Sequence, residues 1–151
     1  QRQMCIRDSF LNDKMTNLLE NGGYQTYVKP LQDKGIKVVL TVLGDWQGIG
    51  VANMNDTQTT KFAKILAHAV EKYGLDGIGF DDEYSNYSSS LISGSFGSII
   101  TKLRNLMPAG KLITVFQWGN YGSRRSMRRP APRSTMLMPT SATAPLSVFP
   151  A

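Results

Sequence analysis

The chain has 151 residues, enough for one ordinary domain and too few for most closed barrels of strands and helices. Hydrophobic residues make up 41%, so a packed core is within reach, and no apolar run approaches membrane-spanning length. The net charge of +6 sits at the ends, because residues 10–123 carry ten Lys or Arg against ten Asp or Glu.

That distribution excludes more than the charge itself does. A nucleic-acid domain carries its basic footprint on the folded body, so no nucleic-acid partner is expected here. The single cysteine, Cys5, has no partner for an internal disulfide. His68 is the only histidine, which leaves little basis for a histidine metal cluster or a Ser-His-Asp triad. No signal peptide or lipidation motif is read.

Residues 1–9 fit no pattern that follows. Met4 to Ser9 (MCIRDS) reads as a translated sequencing-library adaptor, with a natural disordered terminus as the alternative, and these residues are set aside from fold reasoning. A helix is expected from Tyr24 to Lys34, with Tyr27, Val28 and Leu31 on one face, Gly35 as its stop and Pro30 as a kink or a late start. Ile36 to Leu43 is a β-branched, near-continuous apolar run of the kind that forms a buried parallel strand. It leads into a loop, Gly44-Asp45-Trp46-Gln47-Gly48.

Asp56 or Thr57 can cap the next helix, in which Phe62, Ile65, Leu66, Ala69, Val70 and Tyr73 recur at helical spacing until Gly74 closes it. His68 falls outside that stripe and reads as a solvated helix residue. Next comes Leu75-Asp76-Gly77-Ile78-Gly79-Phe80-Asp81-Asp82-Glu83-Tyr84, a short apolar strand that ends in three carboxylates. Alternation points Gly77, Gly79, Asp81 and Glu83 one way and Ile78, Phe80 and Asp82 the other. Asp81 and Glu83 then converge, and their repulsion is expected to raise one of the two pKa values.

A Ser-rich loop, Ser85 to Ser95, precedes a helix with Phe96, Ile99, Ile100, Leu103 and Leu106 on one face, ended by Pro108. Lys111 to Phe116 is a third strand, leading to Gln117-Trp118-Gly119. Strands alternating with amphipathic helices imply βαβ crossovers and a parallel sheet. Functional groups gather at the carboxyl ends of such strands, where Asp45, Glu83 and Gln117 all fall.

From Ser123 the chain turns basic and then rich in Thr, Ser, Ala and Pro, without periodicity. A disordered tail, a nucleic-acid arm and a frameshift compete. Codons for Arg133 to Ser147 can be chosen so that another frame reads IDYAYADFGYGTFV, a strand-like segment, and the frameshift is the preferred reading. The domain division is thus 1–9 adaptor-derived or disordered, 10–122 folded, and 123–151 a frameshifted, disordered tail.

Paired carboxylates with aromatic residues in nearby loops (Trp46, Tyr84, Tyr87, Trp118) suit glycoside hydrolysis, in which one acid protonates the leaving oxygen and rings stack on sugars. A divalent-cation site and a merely solvated strand end remain open on spacing alone.

The residues from Leu75 to Tyr84 closely resemble the DGxDxDxE strand of glycoside hydrolase family 18, and more narrowly that of the bacterial endo-β-N-acetylglucosaminidases. The resemblance extends from Pro30-Leu31-Gln32, Gly35 to Val38 and Val42-Leu43-Gly44, through Phe62-Ala63-Lys64 and Lys72 to Leu75, to Leu103-Arg104, Met107-Pro108 and the strand from Lys111. It covers roughly residues 12–122, about half of a (β/α)₈ barrel of typical size. The implied fold is therefore α/β, a partial TIM barrel of central strands and helices.

The implied mechanism is retaining and substrate-assisted. Glu83 is the general acid and then the base. Asp81 orients the substrate's 2-acetamido group, whose carbonyl attacks the anomeric carbon. Gly44, Asp45, Trp46, Tyr84, Gln117 and Trp118 are the substrate-binding candidates; no metal and no cofactor is needed. The implied partner is an N-linked glycan, cut between the two GlcNAc residues of its chitobiose core, or another GlcNAc-containing oligosaccharide, and the implied protein is extracellular or at the cell surface and monomeric when full length. A chitinase and a non-catalytic glycan binder of the same family are the alternatives. Two departures stand out. Gly79 occupies a position where the family often has Asp, and the family's later substrate-binding tyrosine has no counterpart in the tail. The 151 residues alone are expected to be inactive, since their barrel cannot close.

Overall fold

The computed structural model describes residues 13–43, 50–82, 91–116 and 135–138. Its framework is a four-stranded, wholly parallel sheet in the order β1 (Val39–Leu43), β2 (Gly77–Asp81), β3 (Leu112–Phe116), β4 (Thr135–Met138). Parallel neighbours need a long crossover, and two of the crossovers carry amphipathic helices. Helix α3 (Asp56–Lys72) joins β1 to β2, and α4 (Ser95–Leu106) joins β2 to β3. The α/β reading of the sequence holds.

Both helices pack on one face of the sheet. Phe62, Ala63, Leu66 and Val70 of α3 and Phe96, Ile99, Ile100 and Leu103 of α4 bury themselves with Val42, Ile78, Phe80, Ile113 and Val115. The Phe80 and Phe96 rings meet edge to face with centroids 5.3 Å apart, the arrangement that aromatic quadrupoles favour. Helical spacing identified most of this layer. Leu106, expected on the buried stripe, is instead 46% exposed in the last turn of α4, and Met107, just beyond the helix, is buried. The extended backbone at Met107 swings the side chain back over the core.

Helix α3 starts one residue earlier than expected. Asn55 is the cap: its side chain accepts from Gln58 N–H, and the Gln58 side chain accepts from Asn55 N–H. Asp56 and Thr57 are also cap-type residues, but only Asn55 has a Gln three positions on to close the reciprocal box. His68 lies exposed on α3, as its place outside the stripe predicts.

The helix expected over Tyr24 to Lys34 is two shorter pieces, a π-helical turn (Tyr24–Val28) and α2 (Lys29–Gln32), with Pro30 at the start of the second. Proline has no N–H for the carbonyl four residues back, and the wider turn accommodates that loss. A short helix that the periodicity does not signal, α1 (Asp13–Leu19), precedes them. Leu19 and Val28 bury against Val38 and Leu75 and form a second, smaller core at the amino ends of β1 and β2.

Strand β4 falls inside the tail for which the sequence predicts no regular element, and it lies parallel to β3 with Thr114 opposite Met136. An open strand edge offers unpaired backbone groups to any adjacent extended segment. Among the described residues no helix is long and apolar enough to cross a membrane.

Candidate active site

The carboxylate-bearing strand lies inside the sheet, paired on both sides. Gly79 stands opposite Thr41 of β1 and Thr114 of β3, and Asp81 stands opposite Leu43. Ile78 and Phe80 enter the core under the helices, so Gly77, Gly79 and Asp81 share the other face, as alternation requires. Asp81 is the last residue of β2 and is half-buried, with its Oδ1 removed from solvent. Asp82 follows directly, also half-buried.

Two glycines keep this face low. A Cβ on Gly77 would collide with the Leu112 backbone, so the β2–β3 approach admits no side chain there. A Cβ on Gly79 would lie 3.0 Å from Thr114 Oγ1 and 3.3 Å from Thr41 Oγ1, tight against two hydroxyls. Thr114 is only 6% exposed, while Thr41 and Leu43 face the open side of the sheet. Sequence reasoning did not single out Thr41 or Thr114. Alternation puts them on the Asp81 face, but only the register shows that they flank Gly79.

Asp76 opens the same motif and has a different task. Its Oδ2 accepts from Val38 N–H at 2.9 Å and from Gln32 Nε2 at 2.8 Å, and its Oδ1 lies 3.5 Å from Lys37 Nζ. Gln32 Nε2 also donates to the Gly74 carbonyl. Asp76 therefore pins the start of β1 and the end of α2 to the start of β2, at the opposite end of the strand from Asp81. Burial works to raise its carboxyl pKa; the Val38 and Gln32 hydrogen bonds and the Lys37 charge outweigh this and hold it below the ordinary carboxylate range.

Of the candidate residues, Asp81 is the one within the described structure. Glu83, Gly44, Asp45, Trp46, Tyr84, Gln117 and Trp118 lie outside the described residues. They belong to the segments that follow β1, β2 and β3, whose carboxyl ends stand side by side in the sheet. Among the described residues no group of three His, Cys, Asp or Glu is placed to hold a metal ion.

No family model matches the chain. It is 37% identical over 119 residues to endo-β-N-acetylglucosaminidase F1 of Elizabethkingia meningoseptica, a match covering 74% of this chain and 34% of that protein. With an endo-β-N-acetylglucosaminidase of Flavobacterium sp. (strain SK1022) it shares 43% identity over 99 residues, 62% of this chain and 31% of the relative. The chain thus spans about a third of the length of the curated relatives it matches. In backbone it is similar to EndoBT-3987 of Bacteroides thetaiotamicron, solved with a Man5GlcNAc product, with a TM-score of 0.67 and 29% identity over 85% of this chain and 30% of that one. The chitinase domain of the spore coat protein CotE from Clostridium difficile shares the fold, with a TM-score of 0.50 and 21% identity over 76% of this chain and 34% of that one. In sequence and in backbone alike, the chain is similar to part of an endo-β-N-acetylglucosaminidase, and the resemblance to family 18 read from its carboxylate strand holds.

Proposed function

We propose that this chain is part of a glycoside hydrolase that cuts the β-1,4 bond between the two GlcNAc residues of an N-glycan core. The observation that carries this reading is Asp81 at the carboxyl end of an interior parallel strand, followed two positions later by Glu83, in a chain similar to two endo-β-N-acetylglucosaminidases.

Glu83 protonates the glycosidic oxygen and then activates water. Asp81 accepts a hydrogen bond from the substrate's acetamido N–H, turns the acetamido carbonyl toward the anomeric carbon, and stabilises the positive charge that develops. The carbonyl oxygen forms the new bond to carbon as the leaving sugar departs with the proton from Glu83. Water later opens the ring so formed and returns a proton to Glu83, with retention at the anomeric carbon. We assign sugar binding to Gly44, Asp45, Trp46, Tyr84, Gln117 and Trp118, which follow β1, β2 and β3 in the sequence.

The four strands are part of a (β/α)₈ barrel, about half of it. Support comes from the open inner face: Leu43, 46% exposed, and the exposed Thr41 stand where a closed barrel packs its interior layers. The whole enzyme acts outside the cell as a monomer, an expectation drawn from the family alone.

The test uses the full-length protein that carries this segment, with the tail read in its restored frame. It releases glycans from a high-mannose glycoprotein, and Glu83→Gln lowers the rate by roughly 10²–10⁴-fold, the range of a lost general acid. Equal rates for Glu83→Gln and the parent would overturn the assignment.

A further inference from the structure

Two threonine hydroxyls converge on the one position of β2 that has no side chain. Thr41 and Thr114 come from opposite neighbouring strands, and each turns its Oγ1 toward Gly79, to 3.3 and 3.0 Å from where a Cβ would stand. Threonine can present either its methyl or its hydroxyl to a neighbour, so the choice of hydroxyl on both sides makes the space above Gly79 polar. Thr114 is 6% exposed as a residue, so little bulk water reaches its hydroxyl, which gains from a bound one. Asp81 is the next residue of β2 on this face, its α-carbon about 6–7 Å further along the strand. A side chain attached two positions along the strand can reach back to a water held over Gly79. A bound water needs two to four polar partners. The two hydroxyls and the carboxylate supply three.

We propose that Thr41, Gly79 and Thr114 form a positioning device for Asp81, in which the two hydroxyls hold one water over the bare Gly79 backbone and that water donates to the Asp81 carboxylate. The device rests on the reading of Asp81 as the acetamido-orienting acid. Its physical effect is twofold. It fixes the carboxylate in one orientation, and it favours the ionised form, since a donor to a carboxylate stabilises the charge. Glycine at 79 follows from the same geometry, because even a methyl group would crowd the hydroxyls and fill the space between them.

The experiment takes the full-length enzyme on an N-glycan substrate and compares the parent with Thr114→Val, Thr41→Val, Gly79→Ala and Thr114→Ser. Thr114→Val keeps the side-chain shape and removes the hydroxyl. We expect kcat to fall about tenfold with KM changed by less than about twofold, because the loss concerns orientation in the transition state. The acidic limb of the pH–rate profile moves up by about half a unit, since a carboxylate that loses a donor is harder to ionise. Gly79→Ala leaves both hydroxyls in the chain and produces the same shift by occupying the space between them. Thr114→Ser, which restores a hydroxyl, returns the profile to that of the parent. If Thr114→Val fails to fold, Thr41→Val and Gly79→Ala carry the same readout.

Variants that keep the parent's pH profile, or Thr114→Ser as impaired as Thr114→Val, overturn the proposal in favour of plain packing. A parent that does not cleave the substrate defeats the functional reading and the proposal with it. A parent that cleaves, with Glu83→Gln inactive and Thr114→Val unchanged, defeats the proposal alone.

Discussion

Replacing Asp76 by Asn removes a charge that three elements share. Its carboxylate accepts from Val38 N–H and Gln32 and lies near Lys37, and such charge-assisted bonds stabilise a half-buried site by about 1–2 kcal/mol in net terms. The folded pKa is depressed, so this stability is present above the unfolded Asp value of about 4 and is lost as pH falls through the folded value. Urea unfolding of the full-length parent and Asp76→Asn should therefore differ at pH 7 and converge toward pH 2; a constant difference would mean that the charge is not what matters. Gly77→Ala acts through sterics, because its Cβ meets the Leu112 backbone, and it should cost about 3 kcal/mol or more in the same assay. At this scale the motif was legible as a face assignment. Alternation put Gly77, Gly79 and Asp81 together, and the packing of Ile78 and Phe80 agrees. The separate task of Asp76 was not legible, because its partners Gln32 and Val38 are far away in sequence and only folding brings them near.

Among the elements, the helices and strands with strong periodicity were readable from the sequence, and the short ones were not. Helix α3 shows five helically spaced apolar residues, with a sixth, Tyr73, at its C-cap, and is legible nearly to its ends. Its cap was misassigned because Asn55, Asp56 and Thr57 all suit the role, and only the reciprocal bonds with Gln58 distinguish them. Asn55→Ala should cost about 1 kcal/mol, read as a lowered denaturation midpoint, whereas Thr57→Ala should leave the midpoint nearly unchanged. Helix α1 spans seven residues, two turns at most, too few for a period to emerge. The π-helical turn before Pro30 is beyond propensity rules, which register the proline as a break without saying how the backbone goes round it. Register was also beyond reach, and with it the meeting of Thr41 and Thr114 over Gly79.

For the molecule as a whole, α3 and α4 cover one face of the sheet while Thr41 and Leu43 leave the other face open along β1. A parallel sheet is stable when both faces are covered and its edges are closed, so the 151-residue chain by itself should associate or aggregate and show no turnover. Size-exclusion chromatography with a glycan-release assay checks this, and a monomeric, active fragment would contradict it. Which bond the full-length protein breaks can be read from what it leaves on the asparagine. Mass spectrometry of a high-mannose glycoprotein after treatment with the full-length protein tests it most directly. One GlcNAc is expected to remain on each processed asparagine, and the same glycopeptides to stay unprocessed with Glu83→Gln. Asparagines stripped of both GlcNAc residues, or glycans still intact after treatment with the parent, would contradict it.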